Sequence, residues 1–225
     1  MSDSNRLLQE RLRAVEAADS AQGLLDSVEA LAELSDEGAV DTLIQVLGYN
    51  NPGAAVAAVD GLIKIGTPAA SALLTQIDGY NYGARAWALR VLAGIGDPRG
   101  LDLILETAVE DFSLSVRRAA ARGLGAIQWE KLPEEKRRAN QTRTIQTLLT
   151  VLEDVEWVVR YAAVVGLQGL AIAVIQAGLT ELTEPIVSGL QGRIQEDDTL
   201  AVQARAQWAL TQVQSFSPSL SPSNS

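Results

Sequence analysis

The side chains with chemical reach in this sequence are arginines, aspartates and a few aromatics, because it contains neither cysteine nor histidine. It can build no disulfide, thiolate nucleophile, Cys/His zinc site or Ser-His-Asp triad. What remains is mainly binding chemistry: Arg for planar anions, Tyr and Trp for flat apolar faces, Asp for N–H donors or a proton. These types concentrate in one stretch. Tyr80, Tyr82 and Trp87 lie within eight residues of a chain that has only 4 Tyr and 4 Trp. Arg85 sits among them, and Asp78 and Asp97 flank them.

The charge pattern points to the same region. Net charge is -10, which argues against general nucleic-acid binding. Between Arg85 and Arg143, however, 11 Lys/Arg stand against 8 Asp/Glu, leaving 7 against 20 for the rest of the 18 and 28. The middle of the chain is where an anionic ligand or an acidic surface is tolerated. The N-terminus is charged and lacks the apolar core of a signal peptide. No run reaches the roughly 18 apolar residues of a membrane span, the longest candidate being 161–177. A cytoplasmic location is therefore expected.

Aromatics make up 4% of the chain and apolar residues 47%, so the core must be built from Ala, Leu, Val and Ile. That composition favours closely packed helices. A small residue or Val followed by Leu recurs late in each alanine-rich segment, at Leu31, Leu62, Leu92, Leu124, Leu167 and Leu210, with spacings of 31, 30, 32, 43 and 43. Seven positions before that Leu stands an Arg in three copies: Arg85, Arg117 and Arg160. Six before the Arg register stands Asp111, Asp154 or Asp197. Gly66-Thr67-Pro68 and Gly96-Asp97-Pro98 separate paired helices, with Gly suited to a helix end, Thr or Asp to a cap and Pro to a first turn. These are the marks of a HEAT-like repeat, and they predict an all-α solenoid of about five helix pairs plus terminal capping helices.

The solenoid is expected as one domain over 1–214, followed by a disordered Ser/Pro tail at 215–225. Residues 129–142 read as a charged insertion broken by Pro133, either a contact loop through Lys136, Arg137 and Arg138 or a solvated excursion. The second helix of that repeat is expected to resume near Arg143. The Asp residues of the register read as helix caps and the Arg residues as a ladder tying repeats together. Arg85 is the exception, since Gly79 occupies its aspartate slot. Tyr82, Arg85 and Leu89 share one helical face, and Trp87 fits either the core or a ligand platform.

The segment YNYGARAWALRVLAGIGDPRGLDLILETAVEDFSLSVRRAAARGLG resembles the E/F-type phycobilin lyases, most closely the F-type subunit of the phycocyanin α-subunit phycocyanobilin lyase. The resemblance spans roughly residues 20–215 and is most specific over 78–125. It implies a heterodimer with an E-type lyase subunit that attaches phycocyanobilin through a thioether to a cysteine of the phycocyanin α-subunit, and that can also detach or transfer it. Phycocyanobilin would be a substrate, with no permanently bound cofactor, no metal and no membrane span. One F-type branch isomerises the bilin through a His-Cys motif, which this composition disfavours. On this reading Arg85, with Arg117 or Arg118, pairs the bilin propionates. Tyr80, Tyr82 and Trp87 stack on pyrrole rings, and Asp78 or Asp97 accepts pyrrole N–H bonds and steers protonation. The alternative is a non-enzymatic HEAT-like adaptor for phycobilisome assembly or degradation.

Overall fold

Gly66 and Gly96 hold φ at 77° and 68°, and at each the chain leaves one helix and turns into the next. An L side chain is strained there, and at Gly96 a Cβ would also lie 2.2 Å from the Ala126 carbonyl oxygen. In the computed structural model, which describes residues 2–76 and 82–216, such breaks delimit twelve α-helices and short 3-10 turns, with no strand among the described residues. The all-α, paired-helix architecture expected from the repeat holds.

The chain divides into two compact units between Ile95 and Gly96. The first contains α1 (Asp3–Glu16), α2 (Ala21–Ala32), α3 (Val40–Val46), α4 (Pro52–Ile65), α5 (Thr67–Gln76) and α6 (Tyr82–Ile95). Here α2, α4 and α6 pack side by side as one row, with α3 and α5 behind them and α1 covering α2. The second contains α7 (Leu101–Glu110), α8 (Leu114–Leu124), α9 (Glu134–Val151), α10 (Trp157–Gln176), α11 (Thr183–Glu196) and α12 (Leu200–Phe216). Its front row is α8, α10 and α12, backed by α7, α9 and α11. The third sequence repeat, 80–110, thus contributes α6 to one unit and α7 to the other.

The Leu register is the core of both units. Leu31, Leu62, Leu124 and Leu167 are fully buried, with Leu92 and Leu210 nearly so. Each stabilises the fold by roughly 1.5–3 kcal/mol relative to an exposed side chain. The small residue before it has a steric reason. A Cβ on Gly61 would come within 2.7 Å of Ala32 Cβ, and one on Gly166 within 2.3 Å of the Ala121 carbonyl oxygen. Helices α2 and α4, and α8 and α10, meet there almost backbone to backbone.

Two expectations need correction. The 129–142 segment is not a loop, because after a 3-10 turn at Trp129–Lys131 the helix α9 begins at Glu134 rather than near Arg143. Pro133 precedes the first turn instead of breaking a helix. Arg137 is turned back on its own entry, donating to the carbonyls of Leu132 (2.8 Å) and Glu130 (3.0 Å), while Arg138 pairs with Glu181 at 2.9 Å. Second, α10 is long and apolar enough to cross a membrane, but most of it is buried between α8, α9, α11 and α12, as in a core helix. The tail expected to be disordered lies almost wholly outside the described residues, and its first two positions, Ser215 and Phe216, complete α12.

Candidate functional site

In the second unit the Asp/Arg register forms a ladder. Arg117 Nε and Nη2 donate to the two carboxylate oxygens of Asp154 at 2.7 and 3.0 Å, and its Nη1 reaches the carbonyls of Asp111 (2.9 Å) and Phe112 (3.3 Å). Arg160 repeats this one repeat later, with Asp197 at 2.8 and 2.9 Å and the Asp154 carbonyl at 3.0 Å. Asp198 adds a second carboxylate to it. Each Asp also caps the next turn, accepting from Ser113, Glu156 or Thr199 N–H at 2.8–3.0 Å. Gln203 stands in the third Arg slot and makes the one contact a neutral amide can copy, to the Asp197 carbonyl at 2.6 Å.

The electrostatics follow from this geometry. Burial pushes the Asp154 and Asp197 carboxyls up, but the hydrogen bonds from Arg117 and Arg160, with the capping N–H groups, outweigh it and hold both below the usual carboxylate range. Both arginines are held above their ordinary value by the same bonds. Four of the five guanidinium N–H bonds of Arg117 are therefore committed within the protein. Asp97 is committed too. Arg99 donates from Nε to Oδ1 (3.0 Å) and from Nη2 to Oδ2 (2.8 Å), its backbone N–H also caps on Oδ1, and these bonds outweigh burial and hold the carboxyl below the usual carboxylate range.

The first unit is built differently. Tyr49 and Ala55 occupy the Asp and Arg slots of the second repeat. The tie to the preceding repeat is neutral: Asn51 Oδ1 caps α4 at Ala54 N–H (3.1 Å) while its Nδ2 donates to the Ala21 carbonyl (2.9 Å). Arg85, half-buried near the start of α6, makes no hydrogen bond or ion pair among the described residues. The face it shares with Leu89 runs into the core, where Leu89 is buried. Trp87, two residues on and so about 200° around the helix, points elsewhere. It lines a cleft of about 290 Å³ with Gly83, Ala84 and the turn Leu47 to Pro52, and Arg90 stacks on its ring at 4.3 Å. Tyr49, 46% exposed, forms the opposite wall.

Thus the structure brings Trp87 to Tyr49, Asn50 and Asn51, a grouping the sequence reading missed. The available signal was a tyrosine standing in an aspartate slot. Arg85 and Trp87 belong to the first unit, and Asp97, Arg117 and Arg118 to the second, where Arg118 is exposed on α8 and meets no carboxylate among the described residues. Asp78, Tyr80 and the side chain of Tyr82 lie outside the described residues.

A family model for HEAT repeats matches residues 71–168. The chain is 54% identical over 201 residues to a phycobilisome maturation protein of Synechococcus elongatus, covering 89% of this chain and 95% of that protein. It is 50% identical over 202 residues to the phycocyanin alpha phycocyanobilin lyase CpcF of Synechocystis sp., covering 90% and 92% respectively. Among solved structures, a chain from the complex of CpcE and CpcF of phycocyanin lyase from Nostoc sp. PCC7120 superposes with a TM-score of 0.69 at 46% identity, over 77% of this chain and 99% of that one. A designed armadillo repeat protein, at 19% identity and a TM-score of 0.51 over 92% of this chain and 99% of its own, shares the fold alone.

Proposed function

The chain belongs to the family of phycocyanobilin lyase subunits, and on that premise we propose that it is the F-type half of a heterodimeric lyase acting on phycocyanobilin and the phycocyanin α-subunit. The observation that carries this reading is 50% identity to CpcF across 92% of that protein's length. Its reaction is an addition. The acceptor's cysteine S–H adds across the ethylidene double bond of the bilin, the sulfur–carbon bond forms, and the proton ends on the bilin. A chain with no Cys and no His fits this chemistry, because the acceptor brings the thiol and the bilin brings the electrophile. The task left to the protein is to hold the two in register, which supplies up to roughly 7–11 kcal/mol of barrier reduction.

Within this chain Arg85 is assigned to a bilin propionate, since its charge has no internal partner among the described residues and guanidinium suits bidentate carboxylate binding. Trp87, with Tyr80 and Tyr82, is assigned to the pyrrole rings, and Tyr49 joins this group from across the cleft. Asp78 stays the candidate for pyrrole N–H bonds. Arg117 and Asp97 serve the fold first, their donors and oxygens being occupied by Asp154 and Arg99. The proposal includes a cytoplasmic location, with phycocyanobilin as substrate rather than resident cofactor.

Co-expression with an E-type subunit, phycocyanin α-subunit and a bilin-producing pathway tests the reading on a denaturing gel read by zinc fluorescence. Fluorescent α-subunit only when both lyase chains are present is the expected result. Fluorescence independent of this chain would move it to the adaptor class.

A further inference from the structure

Asn50 stands in a turn without either of the usual reasons for an asparagine there. Its φ is not positive, Ser35 being the only non-glycine with that conformation among the described residues. Its side chain makes no hydrogen bond among the described residues, whereas the neighbouring Asn51 commits both ends of its amide, to Ala54 and Ala21. The Asn50 amide is exposed and lines the cleft of about 290 Å³ between Tyr49 and Trp87. The Tyr49 hydroxyl has no hydrogen-bond partner among the described residues either. Two polar groups with no role in the fold thus meet at an aromatic cleft in the first unit.

The size and lining of the cleft limit what it takes. Pockets that hold whole drug-sized ligands run to roughly 300–1,000 Å³. At about 290 Å³ this cleft has room for part of a four-ring bilin. Its aromatic walls suit a flat ring, and Gly48, Gly83 and Ala84 line it with little side-chain volume. Arg90 stacks on Trp87 at 4.3 Å, and no carboxylate stands among the described lining residues. A second cleft, of about 430 Å³, shares Tyr49, Asn50 and Asn51 but is also lined by Glu16 and Asp19. Those charges oppose a ligand that carries two propionates, so the Trp87 side is the one that suits it.

We propose that this cleft seats a terminal lactam ring of the bilin and that Asn50 recognises it; the proposal rests on the lyase reading, which supplies the substrate. Each end of an open-chain bilin is a five-membered lactam whose N–H and C=O share one edge. A carboxamide is the complement of that edge, its oxygen accepting from the N–H while its NH₂ donates to the carbonyl. The two inner rings carry propionates and no carbonyl, so they cannot make this pair. Trp87 and Tyr49 supply the ring faces and Asn50 the edge. A propionate belongs to an inner ring, so the contact assigned to Arg85 and the contact assigned to Asn50 engage different parts of one molecule.

The test titrates the purified pair of full-length chain and E-type subunit with phycocyanobilin and with its propionate dimethyl ester, read by absorption. Asn50→Leu is expected to bind both bilins at least about tenfold more weakly, the loss of two hydrogen bonds, while melting as wild type. Asn50→Asp, whose ionised carboxylate can only accept, should also weaken both. Arg85→Ala should weaken the free acid alone, which separates the ring edge from the propionates. A loss confined to affinity assigns the unreactive end of the bilin to the cleft. A fall in attachment rate at saturating bilin as well assigns the end that carries the ethylidene. Wild-type affinity in both Asn50 variants would overturn the seat, and attachment by the wild-type pair on the denaturing gel would then leave the lyase reading standing. No bilin binding by the wild-type pair would overturn both.

Discussion

Two arginines in the same register position, Arg85 and Arg117, have opposite surroundings. Arg117 is clamped by a carboxylate and two carbonyls; Arg85 has none of these among the described residues. In the second unit each arginine takes its carboxylate from the following repeat, Arg117 from Asp154 and Arg160 from Asp197, so the slot that Gly79 fills, matching Asp111, supplies Arg117 a backbone carbonyl and not a carboxylate. The same contrast runs through the ties between repeats. In the second unit they are buried ion pairs; in the first, Asn51 makes a neutral bridge.

If that contrast is real, breaking the ladder must hurt most. Asp197→Ala leaves Arg160, 8% exposed, with only the outlying Asp198 for charge, and should destabilise the second unit by about 3–5 kcal/mol in denaturant unfolding. Gly166→Ala is expected to cost about 1–3 kcal/mol, because its Cβ meets the rigid backbone at Ala121. Gly61→Ala should cost a similar amount, because the Ala32 Cβ it meets at 2.7 Å is fixed to the α2 backbone, whose Cα lies at 3.1 Å.

Acid distinguishes the units without mutation. Asp97, Asp154 and Asp197 all have folded-state values below the ordinary 3.8, and all lie in the second unit. A depressed carboxylate contributes stability that is full above its unfolded value and is lost as pH falls through the folded one. Amide exchange should therefore show the second unit losing protection below about pH 4. The first unit, with no buried carboxylate among its described residues, should change less. Equal loss in both units would remove the ladder as the cause. The smallest stability effect is expected for Arg85→Ala, within about 0.5 kcal/mol of wild type.

Much of the fold was legible because steric need leaves a periodic mark. The Leu register, the small residue before it and the Gly-Asp-Pro break each answer to one contact, and each contact is present. The Asp/Arg ladder was readable for the same reason, since a bidentate pair demands two residue types at a fixed offset. The start of α9 was not. Pro133 reads as a breaker, and only the tertiary setting, with Arg137 folded back on the Leu132 carbonyl, shows it opening a helix. Nor was the pairing of Trp87 with Tyr49, because contacts between neighbouring repeats are 38 residues apart in sequence and obey no local rule.

The central claim, that Arg85 is released for the substrate while its register mates hold the fold, is tested most directly by the initial rate of chromophore attachment in Arg85→Ala, measured with the E-type subunit at matched concentrations of folded protein. A fall of at least about tenfold, the loss of one charge-assisted contact, with an unchanged melting curve, is the predicted result. Attachment at the wild-type rate would contradict it.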